Sequence, residues 1–388
     1  MRRVILYTLL ILLCYPADAQ DISCNKTWKK IANRSINANT IDKNHAIATQ
    51  IITAVKEHKL TAYTLTGYAA PPIMTTEQLT HVLNGFPDST TVTDPITGKE
   101  ILIVRRRTTL PDSVCVYQVN EECSFHPEQL SLDINIRYVY PTINMYDLDS
   151  VYTGRRPLFR LKYHDLKQYL EQHKEQHEMF NTMLWQNYFV LPHNAQYPGA
   201  DDGIFHTNAT ITLDMTDSPY LDEHTIRNIP GDDRDTALSQ MLIDRIETGQ
   251  IRAWSADTTI FTRQLTTEAL LKSMPPPDTI TIEEFPTSYN IPLRNPEHTK
   301  IHKYKLLLAC TFDPKEGKTQ FRVTAVAPCW DRYSDEGTIA ETKTMFWVRY
   351  TDIKPLIDRS EQYHPNNTFA LHLWNHFFVD DAKPVLEK

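Results

Sequence analysis

Glycine is scarce in this chain, 10 of 388 residues. Phosphate-cradling loops need glycines so that backbone amides can close on the anion. Neither a P-loop, nor a Gly-x-Gly-x-x-Gly turn, nor a Gly-x-Ser-x-Gly nucleophile elbow occurs. Long apolar runs are missing too: past residue 19 none approaches the ~20 residues that a membrane helix requires. Basic clusters are almost absent. Arg105-Arg106-Arg107 is the one dense example, and it follows Ile101-Leu102-Ile103-Val104, the pattern of a strand ending in solvent. With a net charge of −8, the chain does not look like a nucleic-acid binder, which carries basic patches. Metal-ligand clusters are few. His173 and His177 share one helix face and could hold zinc. The hydrolase pattern wants Glu directly after the first His, however, and Lys174 stands there. The surrounding polar run reads as a solvated helix face. Asp201-Asp202-Gly203 and Gly231-Asp232-Asp233 lack the oxygen spacing of a calcium loop and read as turns. We therefore assign no catalytic, cofactor-binding or metal residues.

What is present begins with an export signal. Residues 1–19 combine Arg2-Arg3, the apolar stretch Val4–Leu13 and the small-x-small site Ala17-Asp18-Ala19. Cys14 could suggest a lipoprotein, but bulky Leu13 precedes it where a small residue is wanted. Five cysteines follow the signal: Cys24, Cys115, Cys123, Cys310 and Cys329. An oxidising compartment permits disulfides, and the odd count leaves at least one thiol over. Cys115 and Cys123, close in sequence, are the expected local bridge. Cys310 and Cys329 flank a hairpin out of register.

The chain also carries an internal repeat. Ala46–Leu79 aligns without a gap on Ala237–Leu270, with Ile52/Ile243, Ala62/Ala253, Thr75/Thr266 and Glu77/Glu268 identical. Ile134–Leu170 aligns on Phe321–Ile357 at a slightly shorter spacing, matching Pro141/Pro328, Phe159/Phe346, Tyr163/Tyr350 and Asp165/Asp352. Leu184–Val190 returns as Leu373–Val379, at a spacing between those two. This order divides the chain into a signal (1–19), a first repeat (20–190), a linker rich in Pro, Gly, Asn and Asp (191–206) and a second repeat (207–388).

Each repeat opens with an amphipathic helix, marked by Ile47, Ile51 and Val55 in one and by Leu238, Leu242 and Ile246 in the other. Short strands follow at Leu60–Tyr63 and Ile251–Trp254, then helices starting at Thr75 and Thr266. Lys303–Phe312 and Gln320–Ala327 form a hairpin around Asp313–Gly317. Thr344–Tyr350 and Pro157–Tyr163 are matching strands, each leading to a helix capped by Asp352 or Asp165, with Pro355 in the first turn. Each repeat closes on an aromatic helix. The fold class is α+β: two similar lobes, each a small antiparallel sheet flanked by amphipathic helices. The closing aromatics, Trp185/Tyr188/Phe189 and Trp374/Phe377/Phe378, have the spacing of core residues. Their alternative role is that of interface anchors.

The second repeat resembles a known family. Asp235–Leu238 through Gly249-Gln250-Ile251-Arg252-Ala253-Trp254 resembles the helix-then-"G-E-I-T-A-Y" element of the gliding-motility GldN (PorN) family. Phe321–Pro328 is similar to that family's "V-R-I-I-G-I-A-P" strand. Phe346–Tyr350 with Lys354-Pro355-Leu356 is similar to "L-F-W-V-Y-(F/Y)-P-E-A-R-P-(V/I)-L". Residues 363–378 resemble its ending. The first repeat resembles the family only through the second. The resemblance implies a periplasmic scaffold of the type IX secretion and gliding machinery, with no catalytic residues. It also implies assembly into rings with an outer-membrane lipoprotein of the K type (GldK/PorK-like), and the motor-linked M component as a further candidate contact. Two other readings compete: an exported peptide- or glycan-binding protein with a cleft between lobes, and a metal-dependent hydrolase using His173 and His177.

Overall fold

The computed structural model describes residues 27–386 except 38–44, 68–70, 85–86, 107–112, 147–150, 191–202, 215–237, 257–260, 276–278, 285–286, 293–300, 302, 335, 337, 362–368 and 379–382. The first series of elements is β1 (Trp28–Asn37), α1 (Ala46–Lys56), α2 (Thr76–Leu83), β2 (Pro87–Thr93), β3 (Glu100–Arg106), β4 (Val114–His126), β5 (Ser131–Tyr146), β6 (Tyr152–Pro157), β7 (Leu161–Lys162), α3 (Tyr163–Glu171) and α4 (Lys174–Tyr188). The second is β8 (Phe205–Asp214), α5 (Leu238–Glu247), β9 (Trp254–Ser255), α6 (Thr267–Ser273), β10 (Thr279–Glu284), β11 (Thr287–Pro292), β12 (Lys303–Asp313), β13 (Lys318–Tyr333), β14 (Ile339–Thr344), β15 (Phe346–Arg349), α7 (Tyr350–Glu361), α8 (Phe369–Phe378) and β16 (Val385–Leu386).

Local chemistry accounts for many boundaries. Four-residue spacing buries Ile47, Ile51 and Val55 along one face of α1. Thr75 closes α2 with a capping box: its hydroxyl accepts from the Gln78 N–H at 3.2 Å, and its own N–H donates to Gln78 Oε1 at 2.9 Å. Thr266 caps α6 in the same way, accepting from the Ala269 N–H. Past α5, Gly249 takes φ 74, the left-handed value that glycine adopts without Cβ strain. Two expectations fail at the next helices. Helices α3 and α7 begin at Tyr163 and Tyr350, so Asp165 and Asp352 lie inside the first turn, where they complement the helix dipole rather than cap it. Pro355 sits five residues into α7, past the first turn. The strand expected at Pro157–Tyr163 shrinks to β7, and the one at Leu60–Tyr63 to isolated bridges from Tyr63 to Ile73 and Arg160.

The sheet overturns the two-lobe expectation. Among the described residues its order is β1-β4-β5-β13-β12-β8-β16, with β6 and β7 joined to β5, β14 and β15 joined to β13, and β9 joined to β15. Both series thus enter one 12-stranded antiparallel sheet, meeting where β5 pairs with β13. The seam is internally symmetric. Strands β5 and β13 are each 16 residues long, and the offset between their starts, Ser131 and Lys318, is the one that carries Ile134 onto Phe321 in the sequence. Asp133 lies opposite Gln320, its own counterpart at that offset, so a pseudo-two-fold axis passes through that pair. The Gln320 amide donates to Asp133 Oδ1 at 2.7 Å. Reciprocal bonds flank the axis. The Val323 N–H donates to the Leu130 carbonyl at 3.1 Å, and the Ile136 N–H to the Gly317 carbonyl at 2.9 Å. Leu130 and Gly317 are counterparts too, both left-handed, with φ 43 and 65. Bulges recur at Asn120/Glu121 and Leu307/Leu308, again related by the same offset.

One hydrophobic core serves both series: Ile47, Leu166 and Phe180 belong to the same buried cluster as Leu242, Ile353 and Phe369. Such sharing follows from the continuous sheet, whose covered face runs across the seam. The opposite face carries polar side chains in register, among them Asn33, Asn120, Asp133 and Gln320. Asn120 donates to Asn33 at 2.9 Å, and His126 pairs with Asp133 at 3.1 Å. The second series starts at Phe205, inside the segment expected as linker, whose residues 191–202 lie outside the described ones.

Candidate functional site

The feature built most elaborately is the join between the two series, and the closing helices carry it. Phe180, midway along α4, packs edge-on against Tyr117 of β4, centroids 6.2 Å apart. Its counterpart Phe369 in α8 packs on Tyr304 of β12 at 6.0 Å. Each helix thus packs on its own series through this ring, and its last turn lies over the other series. Trp185 meets Phe312 at 5.5 Å and Phe205 at 6.2 Å, both in the second series. Trp374 meets the counterparts Phe125 at 5.9 Å and Trp28 at 5.6 Å, both in the first. Phe189 and Phe377 flank Phe321 at the centre. Four of the six aromatics picked out in the sequence are buried and two are partly so. Trp185, Tyr188, Phe189 and Phe377 are each 2% exposed, and Trp374 and Phe378 are partly buried against the same core. They pack at the join between the halves of this chain.

Beneath α4 lies a buried polar triad that the sequence reading missed. Glu121 of β4 is fully buried, accepts from the Arg34 guanidinium at 3.0 Å, and accepts from the Tyr188 hydroxyl at 2.7 Å. Arg34 also reaches the Phe377 carbonyl, at the end of α8, at 3.4 Å. Burial and the Glu121 carboxylate push the Tyr188 phenol well up. The second series replaces the triad with hydrocarbon. Leu308 is the counterpart of Glu121, Phe377 of Tyr188, and Ile211, opposite Leu306 as Arg34 is opposite Val119, of Arg34. All three are buried. The polar set tells the two similar helices apart. Phe377 has no hydroxyl to offer Glu121, so only α4 supplies the first groove with that buried hydrogen bond.

A second matched pair lies on the opposite sheet surface. Lys162 stands over the Tyr63 ring at 5.2 Å, and its counterpart Arg349 over Trp254 at 5.0 Å. Here the sequence carried a signal, since the offsets of the internal repeat already align these positions.

The remaining expectations concern chemistry. Cys115 and Cys123 are free and buried, eight residues apart on the single extended strand β4. At about 3.4 Å per residue their separation is far beyond disulfide reach, so the local bridge does not form. Cys310 and Cys329 are also free and buried. Burial and the nearby Glu121 carboxylate push the Cys123 thiol up to about 12, and burial raises the other three. His173 precedes α4 and stacks on Tyr169, whereas His177 is buried in the helix, so the two do not converge on a shared ligand position. Among the described residues no group of three or more His, Cys, Asp or Glu side chains could hold a metal, and no helix is long and apolar enough to cross a membrane. The lobed binding-protein reading loses its cleft, because β5 and β13 are hydrogen-bonded where the cleft would lie.

Fold and join together define a class: a mixed helix-and-sheet protein whose two series of elements share one antiparallel sheet and one buried core. Comparison with known families makes this specific. The family model for "Gliding motility associated protein GldN" matches residues 18–192 and 220–381, and the chain belongs to that family. The match takes in the first half directly, where the sequence motifs had reached it only through the second. Its two segments fit a tandem duplication. No curated protein matches the chain.

Proposed function

We propose that this chain is a periplasmic structural component of the type IX secretion and gliding-motility machinery, acting by protein–protein contact and not by catalysis. The observation that carries the reading is the family match over both halves. The basic-then-apolar leader at residues 1–19 supports an exported location. The partner is an outer-membrane lipoprotein of the K type, with the motor-linked M component as a further contact and a large ring-like assembly as the product. Each half, 20–190 and 207–388, is one copy of the family's unit, and the two copies make one rigid building block.

A tagged, full-length chain recovered from crosslinked cell envelopes tests this. Co-purification of an outer-membrane lipoprotein in large assemblies is expected. Recovery of a free monomer, under conditions that keep other envelope complexes intact, would sink the scaffold role.

A further inference from the structure

Strand β8 pairs with more than β12. Val385 and Leu386, the whole of β16, run antiparallel to it against Thr210 and Ala209. The same short strand is held from its other side. Val190, just past α4, makes a parallel bridge to Val385, and its N–H donates to the Pro384 carbonyl at 2.8 Å. Residues 384–386 therefore lie in a slot one strand wide. The second series forms one flank of it, and the residue that follows α4 forms the other.

The slot's preferences are legible in what fills it. Pro384 is buried at the entrance to β16. Proline carries no N–H, so this buried position leaves no donor to satisfy. Lys383 Nζ donates to the Gln186 carbonyl at 3.2 Å, in the last turn of α4. Helix carbonyls lack intrahelical partners there, and a cation suits the dipole. Val385 is 46% exposed beside Val190, also 46% exposed, and a β-branched residue favours the extended backbone the slot requires. A basic residue, a proline and a β-branched aliphatic, in that order, match the slot.

The insert is fastened lightly. Two residue pairs join β16 to β8, against ten between β8 and β12. Segments held by few backbone bonds open without the rest of the fold. Opening bares the Val190 N–H and the backbone of Ala209 and Thr210, and bared strand edges are templates for another strand.

We propose that this slot is a strand-addition site for another protein, closed in the free chain by its own strap, residues 383–386. The occupant is an extended segment of the partner in which a basic residue is followed by proline and a β-branched aliphatic residue. It enters antiparallel to β8 and parallel to Val190, with backbone pairing supplying affinity and the buried proline supplying selectivity. The strap competes with it, so the closed chain binds more weakly by the fraction of time that the strap is lifted.

Hydrogen exchange and peptide binding test the slot. In the wild type, the Val190 amide should exchange at least about tenfold faster than the amides of β12. A chain lacking residues 383–388 should keep its thermal transition. It should also bind a labelled peptide of residues 382–388, followed by fluorescence anisotropy, at least about tenfold more tightly than the wild type does. The same peptide carrying Pro384→Asp should bind at least about tenfold more weakly than the parent peptide. Exchange at Val190 no faster than in β12 would overturn the proposal, since the strap would then open only with the whole fold. A shortened chain that unfolds, ignores the peptide or accepts the Pro384→Asp peptide equally well would overturn it too. Self-association of the shortened chain that excess peptide does not suppress would give the slot to a second copy, and the partner strand would fall.

Discussion

Replacing Glu121 by Leu should be far more damaging than replacing Arg34, Glu121 and Tyr188 together. The single change writes into the first half what the second half already has at Leu308. It also takes from the Arg34 guanidinium, 9% exposed, its 3.0 Å bond to a buried carboxylate and sets hydrocarbon in that place. Leaving one member of a buried ion pair without its partner costs about 3–5 kcal/mol. That is a large share of the roughly 5–15 kcal/mol that holds a typical domain together. The triple variant R34I/E121L/Y188F copies the apolar set Ile211, Leu308 and Phe377 in full. Exchange of a buried ionic cluster for packed hydrocarbon is often neutral or stabilising by about 1–4 kcal/mol. Reversible urea unfolding of the parent, the single and the triple variant provides the measurement. Recovery of at least about 3 kcal/mol on going from single to triple is expected. A triple variant as unstable as E121L would refute the reasoning, since it would mean that the two grooves are not equivalent. The triple variant should also lose the discrimination between α4 and α8. Hydrogen exchange in those helices would then become more uniform or show two populations.

Trp185→Ala should cost about 3–5 kcal/mol and Trp374→Ala less, because Trp185 is 2% exposed and Trp374 only partly buried. Equal losses in urea unfolding would argue against the burial difference. Gly317→Ala should destabilise by about 1–3 kcal/mol: at φ +65 the new Cβ would lie 2.6 Å from Cε1 of Tyr163, a ring tethered by its hydroxyl to the Pro314 carbonyl. An unchanged melting temperature would show that the ring can move aside. The thiols of Cys115, Cys123, Cys310 and Cys329 should resist alkylation in the native protein and react on unfolding. Mass spectrometry showing native labelling of Cys123 would contradict its burial. The same thiol sets a pH trend. An unfolded cysteine ionises near about 8.5, whereas burial raises Cys123 to about 12. Its contribution to stability is therefore intact below about pH 8.5 and is lost as pH rises toward 12. Cys123→Ala should flatten that alkaline loss.

Much of the local architecture was legible because it depends on neighbours in sequence. Thr75 and Thr266 announce their helices, since a capping hydroxyl acts on amides two or three residues away. The spacing of Ile47, Ile51 and Val55 marks the buried face of α1 for the same reason. The nearly constant offsets of the repeat even aligned Lys162 with Arg349 and Tyr63 with Trp254 as matching positions before any contact was known. The triad was not legible. Arg34, Glu121 and Tyr188 are far apart in the chain, and no periodicity distinguishes a buried Glu in an alternating strand from a surface one. Cys115 and Cys123 misled for the opposite reason. Nearness in sequence suggests a closed loop, but one extended strand carries the two sulfurs apart.

By itself the sequence determined the type of most elements, the repeat and its offsets, and the family. Those are properties of spacing and composition, which survive without a third dimension. Only the tertiary structure decided how the two copies combine. Two isolated small sheets would each expose an edge at β5 or β13, and pairing those edges satisfies backbone groups that would otherwise be open. Once β5 and β13 join about the Asp133–Gln320 pair, the covered face becomes continuous and α4 and α8 can each reach across it. Whether Trp185 and Trp374 were core or interface had no answer in sequence terms, because in this fold they are both: buried in the molecule, and set at the boundary between its halves.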